Sequence, residues 1–178
     1  MDNQQSLDEM LRGYFLSVTK ALGMLHSEGL TAHALVILYS TIDTLGLLGA
    51  PPGQSQASGD SFKRWVKKYL LHAESEYNDV DLWAARCAVL HTFTTQSKLS
   101  NIGSARELQY FSGDKSSESA IHFFSFTLSK GHVPVHVESL LRDFVDAMKE
   151  FVKDLEANCL ADEACMARLR NVIQNYPV

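Results

Sequence analysis

The sequence predicts a mainly α-helical, single-domain protein: a bundle of about five or six helices with a small β-hairpin-like insertion. Three observations predict it. Apolar residues recur in steps of three and four through most of the chain, which is the helical period. Glycine- and proline-containing breaks separate those stretches. Only the region of about 106–128 has the aromatic, partly alternating texture of strands. A chain of 178 residues is long enough for one sizeable core but not for a second full domain.

Residues 6–28 place Leu7, Met10, Leu11, Tyr14, Phe15, Val18, Ala21, Leu22 and Leu25 on one helical stripe. Ser6 and Glu9 have the spacing of a capping box, and Gly29 marks the end. A second helix follows, with Thr31 as its N-cap. Ala34, Leu35, Ile37, Leu38, Ile42, Leu45 and Leu48 make it apolar on most sides, as a central helix would be. The breaker-rich run from Gly49 to Gly59 must be an exposed loop.

Asp60 or Ser61 caps a third helix, 62–71, with Lys63, Arg64, Lys67 and Lys68 on its charged side. A fourth begins near Asp79, and the polar run Thr92–Ser104 reads as a loop. Glu107–Phe111 and Ala120–Thr127 have strand-like composition, and the polar turn between them suggests a hairpin. Gly131 and Pro134 break the chain before the C-terminal helices, placed over about 134–174. The first of these, 134–157, carries Val137, Leu140, Leu141, Phe144, Val145, Met148, Phe151, Val152 and Leu155 on one face.

Composition narrows the function. Apolar residues make up 46% and charged residues 21%, as in an ordinary globular protein. A net charge of −5 argues against broad, non-specific attraction to nucleic acid and leaves room for a local basic site. No signal peptide is visible at the N-terminus, and Ala32–Ala50 is too interrupted by polar residues for a membrane span. Three cysteines without a secretory signal fit a reducing cytoplasm. Cys159 and Cys165 lie six apart, but spacing alone does not establish a bridge.

The segment Asp81-Leu-Trp-Ala-Ala-Arg86-Cys-Ala-Val-Leu-His91 carries the strongest functional signal. Arg86 cannot lose its charge, so its place among Trp83, Ala84, Ala85, Cys87, Val89 and Leu90 requires an anion. That anion is either a ligand phosphate or an internal carboxylate, Asp43 or Asp81. His91, near the helix end, is a side chain tuned to move protons near neutral pH. On an ideal helix the two are about 140° apart and about 7.5 Å along the axis. To meet one phosphate the helix must fray near His91, or a second copy must complete the site across a two-fold axis.

Arg86, His91, the preceding Asp-Leu-Trp-Ala-Ala and the helical setting resemble the HEPN (higher eukaryotes and prokaryotes nucleotide-binding) superfamily. Leu38-Tyr-Ser-Thr-Ile-Asp-Thr-Leu45 and Gly103-Ser-Ala-Arg106 with Tyr110 extend the resemblance, to uncharacterised bacterial HEPN-like proteins, over about residues 30–112. The resemblance implies a cytoplasmic homodimer and a metal-independent endoribonuclease without cofactors. In it Arg86 would stabilise phosphate charge and His91 would serve acid–base cleavage through the RNA 2′-hydroxyl. It also implies RNA or a nucleotide as ligand, no membrane association, and a protein partner in a defence or toxin–antitoxin setting. Cleaving members often have a polar residue after the arginine, where this chain has Cys87. The alternative is therefore a non-catalytic module that binds a nucleotide, RNA or a protein.

Tyr39 and Asp43, four apart on the second helix, either orient Arg86 and line the site or form a core network. Ser97, Lys98 and Arg106 are candidate contacts to phosphate or base. Lys63, Arg64, Lys67 and Lys68 either track an RNA backbone or form a solvated face. Phe123, Phe124 and Phe126 either stack on bases or build a core or interface strand. Pro134 between His132 and His136 argues against one helix presenting both to a metal.

Overall fold

The computed structural model describes residues 7–173; Ser6, and with it the expected first capping box, lies outside them. Among these residues the protein is mainly helical, with eight α-helices and one two-stranded parallel sheet. Helix α1 (Leu7–Ser27) ends at Gly29, whose φ of 73° turns the chain back. Helix α2 (Thr31–Leu48) follows at once. Its N-cap is Leu30, which makes no side-chain cap bond, so Thr31 is the first helical residue and not the cap. By length and composition α2 is apolar enough to cross a membrane, but half of it is buried, packed on α1 and on the helices that follow. That is how a core helix packs.

Helix α3 (Gly59–Trp65) is capped by Ser58, not by Asp60 or Ser61; Ser61 instead bonds back as the other half of a capping box. The helix continues as one π-helical turn, Val66–Leu70. It crosses α2 closely at Gly46, where a Cβ would sit 2.8 Å from the Ser61 carbonyl oxygen. Helix α4 (Asp79–Thr92) opens with a capping box of Asn78 and Asp81. The expected loop after it contains a single helical turn, α5 (Lys98–Asn101), capped by Ser97.

The β insertion is not a hairpin. Strand β1 (Leu108–Phe111) pairs in parallel with β2 (Val133–His136), in register Leu108 with Val133 and Phe111 with His136. The segment expected to be the second strand is helix α6 (Glu118–Ser129), the crossover that any parallel pair needs. Its two buried residues, Ala120 and Thr127, are seven apart, two helical turns, and Ser117 caps its start. Pro134 sits within β2 without cost to a neighbour, because each strand of a two-stranded sheet is an edge. His136 ends β2 and caps α7 (Val137–Ala161), which therefore starts three residues later than the periodicity suggested.

Helix α7 buries Leu140, Phe144, Ala147, Met148, Phe151, Leu155 and Cys159, a stripe in steps of three and four. With Leu38, Ile42, Leu45, Phe62 and Trp65 these residues form the core. Helix α8 (Glu163–Val172) folds back on α7 and brings Cys165 to Cys159, with Sγ atoms 2.6 Å apart and both thiols free. Burial pushes the Cys159 thiol up to about 12.

Candidate functional site

The site is built on α4 and on the stretch of α2 beside it. The Asn78–Asp81 capping box and the buried Leu82, Ala85 and Val89 fix which side of α4 faces the core. Trp83 stays half-buried on the outer side, over Gly59 and 5.3 Å from the Phe62 ring. A Cβ at Gly59 would lie 3.0 Å from the indole, so glycine is what leaves room for it. Arg86, one turn on, lies over the Trp83 ring at 5.0 Å.

Asp43 on α2 meets Arg86: Nε donates to Oδ2 at 2.9 Å and Nη2 to the same oxygen at 2.6 Å. Of the two carboxylates expected as internal partners, Asp43 takes the part. The pair is neither sealed nor open, with the side chains 20% and 14% exposed. Burial raises the Asp43 carboxyl above the ordinary carboxylate value, against the hydrogen bond and charge of Arg86, which pull it down. For the Asp43 carboxylate, burial thus outweighs what Arg86 returns, and the bonds on one oxygen aim the guanidinium.

His91 is exposed in the last turn of α4, and no hydrogen bond or ion pair holds it among the described residues. The helix does not fray before it. It runs through Thr92 and stops at Phe93, whose backbone turns left-handed (φ 53°, ψ 31°). Within one chain Arg86 and His91 thus keep the offset of an intact helix.

The remaining candidates separate. Tyr39 is fully buried, its hydroxyl bonded to that of Tyr110 on β1, and burial pushes both hydroxyls well above the usual tyrosine value. Ser97 is buried and caps α5, bonded to Ser100, while Lys98 is exposed beside it. Arg106 is held by Asp81, through its backbone N–H at 2.7 Å and its Nη2 at 2.6 Å, and by the Glu76 carbonyl. None of these four residues is bonded to Arg86, Asp43 or His91.

The basic patch is largely neutralised. Lys63 pairs with Asp60, Lys67 with Asp79 and Lys68 with Asp154. Phe123 and Phe124 contact Phe111 from α6, while Phe126 is exposed. His136 bonds the Gly113 carbonyl and Ser139, and no group of three or more metal-ligating side chains gathers among the described residues.

Two neighbours of the site escaped sequence reasoning. Phe93 is 58% exposed and stands 5.5 Å from His33 at the start of α2. Beside them opens a cavity of about 430 Å³, lined by Thr31, Leu35, Val89, Phe93, Thr94 and Thr95 among others. The available signal was an aromatic residue in the polar run Thr92-Phe-Thr-Thr. No protein-family model matches this chain, and no curated protein or solved structure matches it either.

Proposed function

We propose that this chain is a HEPN-like protein that acts as a two-fold homodimer and cleaves RNA without a metal. Arg86 and His91 of both copies would form the site. The observation that carries this reading is the continuity of α4 through His91. Two side chains so offset on an intact helix do not converge on one phosphate, whereas a two-fold axis beside α4 brings both pairs into one cleft. Half-buried Trp83, Cys87 and Leu90 share the helical side of α4 that carries Arg86, which supports it.

In the reaction the RNA 2′-oxygen attacks the adjacent phosphorus and the bond to the 5′-oxygen breaks, leaving a cyclic phosphate and a free 5′-hydroxyl. His91 takes the 2′-hydroxyl proton or supplies the leaving oxygen with one. Arg86, aimed by Asp43, steadies the charge that grows on the phosphate oxygens. Incubation with RNA in excess chelator tests this. Arg86→Ala and His91→Ala are each expected to lower cleavage at least about a hundredfold while circular dichroism stays unchanged. Cleavage that survives both changes would sink the reading.

A second reading has its own support. Asp43 already neutralises Arg86, and Cys87 beside it is a small, mostly apolar residue. Both suit a module that binds RNA, a nucleotide or a protein without turnover. Binding without cleavage by the unaltered protein selects this alternative.

A further inference from the structure

We infer that the cavity between the end of α4 and the start of α2 is a nucleobase pocket, with Phe93 as its stacking platform. The inference rests on the RNA reading above and names which part of the nucleotide the chain holds beside His91.

Phe93 is the one non-glycine residue with positive φ among the described residues. This is the place after a helix where glycine or asparagine is favoured, because a β-carbon crowds the backbone there. The ring returns little to the core, being more than half exposed. Thr92 holds the turn, donating to the Ala88 carbonyl and pairing with the Thr94 hydroxyl at 2.7 Å. A strained residue whose side chain lies at the mouth of a cavity points to use by a ligand.

The lining specifies what enters. Ala32, Leu35 and Val89 supply apolar walls, Phe93 and Tyr110 aromatic faces, and Thr31, Thr94 and Thr95 hydroxyls, the last two already bonded within the protein; no charged residue lines the cavity. The Thr31 hydroxyl has no hydrogen-bond partner among the described residues. Such a lining refuses a phosphate and accepts a flat ring with polar edges. In RNA only the base answers to that description, and aromatic stacking tolerates every base. The volume of about 430 Å³ is in the range of small-molecule sites. His91 stands in the last turn of α4, which ends at Phe93, so the pocket and the histidine share one end of the helix.

The test uses the full chain with adenosine, uridine, adenosine monophosphate and a short oligoadenylate, followed by saturation-transfer NMR and calorimetry. Ribose 5-phosphate serves as the phosphate control and N-acetyltyrosinamide as the protein side-chain control. Saturation is expected on the base protons of both nucleosides. Phe93→Gly, which keeps the backbone turn, should weaken adenosine binding about tenfold, and Phe93→Trp should retain it. A tighter oligonucleotide than monophosphate identifies an RNA strand as the source of the base, and equal affinities identify a free nucleotide. Unchanged binding in Phe93→Gly overturns the pocket, as does ribose 5-phosphate or N-acetyltyrosinamide binding as tightly as adenosine. Phe93-dependent adenosine binding without any cleavage would keep the pocket and remove the nuclease. Cleavage with an unchanged KM in Phe93→Gly would do the reverse.

Discussion

Helix α4 carries one side chain in each of two arginine–aspartate pairs, and they are built to opposite purposes. At its start, Asp81 is 2% exposed and both its oxygens are used: Oδ1 accepts from the Arg106 backbone N–H, and Oδ2 from Asn78 N–H and the Arg106 guanidinium. That pair ties β1 to α4 and closes a helix cap. One turn and more along, both bonds from Arg86 fall on a single oxygen of Asp43. The first pair is saturated and architectural although its arginine is 47% exposed, while the second holds a more buried arginine, 20% exposed, on one acceptor atom. An arginine's partner count, and not its burial alone, separates a tie from a contact site.

Substitutions sharpen or break this contrast. Asp81→Ala should be the most damaging, costing roughly 3 kcal/mol through the lost cap and the unpaired Arg106 backbone N–H, read by urea unfolding. Asp43→Ala should cost less, about 2 kcal/mol, since it takes two bonds from a half-buried Arg86 but removes no helix cap. Equal losses would erase the distinction between the pairs. Phe93→Gly should gain up to about 1 kcal/mol by relieving the left-handed turn, a gain set against the binding it removes.

The smallest effect is one of pH. The Asp43 carboxyl titrates higher in the folded protein than its ordinary 3.8, so the folded state holds the proton more tightly. Its contribution to stability is complete below the ordinary value and is lost as pH rises through the raised one. Asp43→Asn should lack that slope. Matching slopes in the two proteins would show that burial does not dominate this carboxyl.

Periodicity made the long helices legible. The α7 stripe from Val137 to Leu155 is buried much as its spacing implies, and Gly29 ends α1 as expected. It failed where two structures share one composition. Ile121, Phe123, Phe124 and Phe126 suit a strand by residue type, yet the chain must cross over to pair β1 with β2 in parallel, and only a helix does so here. The four residues of β2 were too short a run, and Pro134 disguised them.

The candidate site was half legible. An arginine on an apolar helix demanded an anion, and Asp43 on α2 is one. That Arg106 would be consumed by Asp81 depended on a contact spanning 25 residues, which spacing does not encode. Phe93 stood out only as an aromatic residue in a polar run, because its meaning lies in its backbone angles.

The far end of α2 has a consequence for synthesis. No basic residue stands in its last turn, and the positive charge its terminal carbonyls favour comes from Arg168 on α8. Its Nη1 donates to Leu47 O at 3.0 Å and to Ala50 O at 2.6 Å, and its Nη2 to Pro51 O at 3.2 Å. As the chain leaves the ribosome, the helix that presents Asp43 therefore stays unfinished for more than a hundred residues. A nascent protein that can already close the Arg106 tie still lacks the clasp on α2, so the aimed arginine is among the last features to become firm.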